Sequence, residues 1–184
     1  MIESAIITPL LLLLILGIFE FGLAFQNYLG VANTARDAAR AASVGADNPN
    51  ADWRMLLAAE RGSAAIDADL ERIIVYTVSS PSDPVPAACL TSSTGITGVC
   101  NVYDESDFGM LEEEFGCALS TLTPAPDEAW CPTDRNAIID TAAGTRPDFI
   151  GVYVRMTHDY ITGLFGDSVV LEDQIVLRIE PQGR

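Results

Sequence analysis

Residues 1–22 read MIESAIITPLLLLLILGIFEFG, and the reading of this stretch decides the fold. Residues 5–18 are apolar enough to enter a membrane. Glu3 stands just ahead of the run, Glu20 stands in its far half, and no Lys or Arg precedes Arg36. A secretory signal needs a basic start, a short apolar core and a small-residue cleavage site. Here the first four residues carry an acid instead, and the apolar run continues to Phe25. As an α-helix, residues 2–25 would extend about 36 Å at 1.5 Å per residue. A bilayer core is about 30 Å thick, so the segment is long enough to span it.

Orientation poses a conflict. The positive-inside rule places Arg36 and Arg40 in the cytoplasm. The four cysteines, Cys89, Cys100, Cys117 and Cys131, point the other way. None forms a C-x-x-C pair, and a four-thiolate metal cage at these spacings is uncommon. An even count in a loop-rich stretch beside a membrane segment favours two disulfides over free thiols or metal. The short local loops Cys89–Cys100 and Cys117–Cys131 are the expected pairing, outside the cytoplasm. A basic leader upstream of Met1, removed on maturation, would reconcile charge and cysteines.

The remainder is acidic and not disordered by composition. Among 184 residues 49% are hydrophobic and the net charge is −16, with Arg supplying all ten basic residues. Such a chain repels nucleic acid and anionic headgroups, so no nucleic-acid partner is expected. Deep in lipid an ionised carboxylate is costly. Glu20 is read as reaching the headgroups, and Glu3 as pairing with an α-amino group.

The apolar helix runs on to about residue 44, where Gly45 and Asp47-Asn48-Pro49 form a stop signal. Pro9 removes one backbone donor within it. Gly17, Gly22 and Gly30 permit close helix approach in an apolar setting. Past Phe25, Tyr28, Val31, Ala32, Ala35, Ala38, Ala39 and Ala42 recur at three- and four-residue steps and form a small-residue stripe. It suits packing on the chain's own domain, on other subunits, or both on different faces. Arg36 and Arg40 share a face.

Residues 3–45 resemble the TadE-like family of pilin-like proteins, relatives of type IV pilins. The resemblance rests on Glu3, Thr8-Pro9 with the leucines 10–14, and Gly17-Ile18-Phe19-Glu20-Phe21-Gly22. It continues through Ala24-Phe25 and the block NTARDAARAA at 33–42, and more loosely through GVYVRMTHDY and DQIVLRIEP near the end. The resemblance implies a leader cut on the cytoplasmic side. It also implies a long helix that leaves the bilayer and packs into a filament core. Pro9, Leu10, Leu14, Gly17, Phe21, Gly22 and Phe25 would make that packing. Glu20, Arg36 and Arg40 belong to the helix signature. Glu3 would neutralise the N-terminal amine of an adjacent subunit.

The organisation expected is α+β: a pilin-like helix over 1–46, and an extracellular globular domain over 47–184 with a three- or four-stranded antiparallel sheet and disulfide-stapled loops. A second helix is expected over 51–65, capped by Asn50 or Asp52, with Trp53, Leu56, Leu57 and Ala64 on its apolar face. Strands are expected at 72–80, 148–158 and 168–180, with a turn around 161–166. Residues 79–100 read as an exposed loop. Short helices are expected within 104–119 and 132–144.

No catalytic constellation is present: there is no G-x-S-x-G, phosphate loop or H-E-x-x-H. His158 reads as a surface or edge residue. The acids Asp104, Glu105, Asp107, Glu112, Glu113 and Glu114 read as a solvated helix face, with a divalent-ion site as the alternative. No enzyme activity, cofactor or metal is expected. The chain is read as a structural subunit of an extracellular Tad-like pilus, at the cell surface after a membrane-inserted stage, serving adhesion or surface attachment. Its partners would be copies of itself or other pilin subunits, the membrane before assembly, and the assembly machinery. The alternative is a bitopic membrane protein that never polymerises and acts in assembly or sensing.

Overall fold

A computed structural model describes residues 2–45, 47–140 and 144–181 of the chain, with side chains before Ile6 and that of Ala118 outside the description. Helix α1 runs Ile2–Gly45 and helix α2 runs Ala51–Ser63. Strand β1 (Asp69–Val78) follows, then the short helix α3 (Ala87–Thr91) and strand β2 (Cys100–Asp104). Strands β3 (Phe149–Asp159) and β4 (Ser168–Arg178) close the fold. The four strands form one antiparallel sheet in the order β2-β1-β3-β4. The architecture is thus α+β, a long N-terminal helix joined to a small domain.

Both faces of the sheet are covered. Side chains alternate along a strand, so Ile73 and Val75 face the helices with Ile150, Val152, Val154 and Met156. Ile74 and Tyr76 face the other way with Val102, Tyr153, Cys89 and Cys100. This explains the unbroken apolar run of Ile73-Ile74-Val75-Tyr76: a strand buried on both sides loses its polar alternation. Residues 79–100, expected as an exposed loop, are exposed over much of their length, yet they carry α3 and lay Val85, Ile96 and Val99 on this second face. The disulfide Cys89–Cys100 fixes that cover, and Cys117–Cys131 closes the other loop.

The inner face holds α1 and α2. Val31, Ala35, Ala38, Ala39 and Ala42 of α1 are fully buried there with Met55, Leu56 and Ala59 of α2. Small side chains let the backbones approach. A Cβ placed on Gly62 would stand 2.6 Å from Thr34 Oγ1, closer than real contacts allow. The end of α1 is tied to the end of β4: Ser43 Oγ donates to the Arg178 carbonyl at 2.7 Å, and the Glu180 N–H donates to the Ser43 carbonyl at 3.0 Å.

Several local expectations are corrected. The buried stripe of α2 is Ala51, Asp52, Met55, Leu56 and Ala59; Ala64 lies past its end and is exposed. Asn50 occupies the N-cap position without a side-chain cap bond, and Asp52 turns inward rather than capping. β2 was not anticipated, because five residues between a disulfide and an acidic run give too short a pattern. No α-helix forms within the described residues of 104–119 or 132–144. Single 3₁₀ turns stand at Glu112–Glu114, Cys117–Leu119 and Pro132–Asp134. Gly109 and Gly116 take left-handed backbone angles that interrupt a helix.

Candidate functional site

Two features stand apart from ordinary core packing: the apolar half of α1, and a polar clasp that fastens the middle of that helix to the domain. Residues 6–16 are all exposed, Leu10 at 71% and Leu14 at 56%, with Pro9 exposed among them. The helix is long and apolar enough to cross a membrane by length and composition. Phe21 and Phe25 are also exposed, and a Cβ on Gly22 would meet nothing within 4 Å. Gly17 differs from these. It is buried, and a Cβ there would stand 3.2 Å from the ring of Phe165. The Glu3 side chain lies outside the described residues.

The clasp begins at Glu20, which has no exposed surface. Its carboxylate accepts the N–H of Ile161 at 3.2 Å and the N–H of Thr162. Both donors sit in the turn joining β3 to β4. The Phe165 ring stacks at a tilt on Phe21, 4.8 Å between centroids. Two turns further on, Asn27 continues the same helix face. Its Nδ2 donates to the Asp67 carbonyl at 2.8 Å and lies 2.9 Å from His158 Nδ1. His158 Nδ1 is also 3.0 Å from the Asp67 carbonyl. His158 is therefore buried, not the surface or edge residue expected, and the Tyr160 ring meets it edge-on. Its Nε2 has no hydrogen-bond partner among the described residues.

The hairpin turn takes the Glu20 carboxylate. Spacing alone could mark Glu20 as unusual; its partners lie more than 140 residues away. Arg36 and Arg40 are exposed on the outer face of α1, opposite the buried alanines. Of the small-residue stripe, Tyr28 is exposed, whereas Val31, Ala35, Ala38, Ala39 and Ala42 are consumed by the chain's own core.

A second polar cluster holds the domain together. Arg135 Nη1 meets Asp52 Oδ1 at 2.6 Å and Nη2 meets Oδ2 at 2.8 Å, both side chains fully buried. Asn101 Nδ2 and Tyr103 Oη also donate to Asp52 Oδ2, at 2.8 and 2.7 Å. Burial first, and the Asp52 charge second, hold the Tyr103 hydroxyl well above its usual range. Arg135 lies 4.3 Å from the Trp130 ring. The cluster joins α2, β2 and the loop after Cys131. Sequence reasoning missed it because Asp52 and Arg135 are 83 positions apart.

Four of the six acids at 104–114 hold hydrogen bonds. Asp104 Oδ1 accepts from Ser106, and Asp107 Oδ2 accepts the Asp104 N–H. Glu112 accepts from Asn50 Nδ2, and Glu114 accepts the Leu111 N–H. Among the described residues no group of three or more His, Cys, Asp or Glu is placed to hold a metal ion.

Comparison with known families gives one finding: residues 1–40 match the model of the TadE-like protein family. No curated protein and no solved structure matches the chain. The matched segment covers the exposed apolar half, the Glu20 clasp and most of the buried stripe. Together with the apolar helix it fits a component of a Tad-type pilus, a structural family rather than an enzymatic one.

Proposed function

We propose that this chain is a structural subunit of an extracellular Tad-like pilus. Its N-terminal helix holds it in the membrane, then polymerises by packing against the helices of other subunits. The reading rests above all on one observation: residues 6–16 of α1 project from the domain with every described side chain exposed. Leucines and isoleucines left in water at that density are unfavourable, at about 25 cal/mol per Å². They call for lipid or for other helices. Close helix packing in the filament replaces lipid contact through dispersion and the approach of small residues. Pro9, Leu10, Leu14, Gly22 and Phe25 lie on the exposed surface of the helix, and Phe21 is exposed but already meets the Phe165 ring on one side. Gly17 is buried, because Phe165 of the same chain covers it. In this reading Glu3 pairs with the N-terminal amine of a neighbouring subunit, and the assembled filament serves adhesion or surface attachment.

Glu3→Ala tests the proposal. The variant should remain in the membrane fraction and be lost from filaments seen by electron microscopy. Unchanged filament yield would remove Glu3 from assembly. A wild-type chain found only in membranes, never in filaments, would favour the bitopic assembly or sensor protein instead.

A further inference from the structure

The turn between β3 and β4 is an unusual loop for an acidic domain. Residues 160–166, YITGLFG, carry no charge, and Asp159 and Asp167 stand exposed at its neck. Ile161 is 65% exposed, Leu164 47% and Phe165 43%. The loop is fastened to α1 at three points: Gly17 and Phe21 against Phe165, and Glu20 to the Ile161 and Thr162 N–H groups. Over residues 6–16 the domain no longer covers the helix. The turn and the apolar helix surface are therefore one continuous apolar patch.

We infer that this turn is a second membrane contact, seated in the bilayer interface beside α1 before assembly. The inference rests on the membrane stage of the proposed function. Helix length supports it. If Glu3 lies at one membrane surface, about 30 Å of hydrocarbon at 1.5 Å per residue extends to about residue 23. The turn grips the helix at residues 17–21, within that depth. Raising the turn into water would draw Glu3 and its carboxylate into the hydrocarbon, where a charge is disfavoured. Glu20 then has a physical role. It lies at bilayer depth, and the turn supplies two backbone donors that replace water around its carboxylate. Tyr160, at the neck, combines an apolar ring with a polar hydroxyl and suits the interface. The paired acids mark the level at which the domain leaves the membrane. The partner surface is zwitterionic lipid, because a chain of net charge −16 is repelled by anionic headgroups.

Tryptophan depth measurements on the full chain in phosphatidylcholine vesicles with brominated acyl chains test this. Leu164→Trp adds a reporter at the turn and Leu14→Trp adds one in the projecting helix, each compared with the wild-type emission of Trp53 and Trp130. Both added signals should shift to the blue and lose intensity on bromination, with Leu14→Trp the more deeply quenched. If Leu14→Trp is quenched and Leu164→Trp is not, the turn faces water and the inference falls while the membrane stage stands. If neither is quenched, the membrane stage itself falls. If Leu164→Trp shifts to the blue without bromine quenching, and Leu164→Ser weakens self-association in detergent, a second copy covers the turn and the inference is overturned.

Discussion

The two halves of α1 bury side chains in the reverse of the usual order. Residues 6–16 carry the largest aliphatic side chains of the helix and leave them exposed. Residues 31–42 are buried on one face, and that face is mostly alanine. Within a folded chain the larger apolar side chain normally goes inside. The reversal follows from where the domain packs on the helix. The domain takes the alanine face because small side chains let α1 lie close to α2 and the sheet, as the Thr34–Gly62 contact demands. The described side chains of residues 6–16 stay exposed, and in the proposed function lipid or other subunits cover them. The boundary between the halves is the Glu20 clasp.

Substitutions should therefore act on different readouts in the two halves. The largest effect is expected in the domain. Asp52→Ala leaves Arg135 buried without its carboxylate and should cost about 3–5 kcal/mol of stability in urea unfolding. Replacing Cys89 and Cys100 together by alanine opens a short loop over the second sheet face, and should cost about 2–4 kcal/mol under oxidising conditions. Ala38→Leu drives three extra carbons into the packed stripe. It should cost about 1–3 kcal/mol, with no direct effect on the projecting half. Leu13→Ala should change domain stability by less than about 0.5 kcal/mol, while vesicle retention falls slightly. If Leu13→Ala destabilised the domain as much as Ala38→Leu, the division of the helix would be wrong. Glu20→Ala falls between the halves. It removes the acceptor for Ile161 and Thr162, so limited proteolysis within 160–166 should accelerate while the urea midpoint moves little.

Much of this was readable along the chain. The apolar run, its acids and the late strands carried the helix, the α+β class and the membrane-capable segment. Helix Ile2–Gly45 ends at the predicted stop because Gly45 and Pro49 are local signals. The errors fell where partners are distant or patterns short. The acids of 104–114 looked like a helix face, yet two left-handed glycines and carboxylate–backbone bonds hold them in turns. His158 looked peripheral in its strand, yet α1 covers it through Asn27.

The sequence alone determined that the N-terminal segment would be one long helix, because periodicity, propensity and stop signals are local properties. It also determined that this helix needed apolar company. Tertiary structure decided where that company lies within the chain. It set the alanine stripe against the sheet and Asp52 on Arg135. It placed Glu20 on the turn of a hairpin more than 140 residues away. Such pairings depend on the path of the chain through space, and linear spacing carries no record of that path.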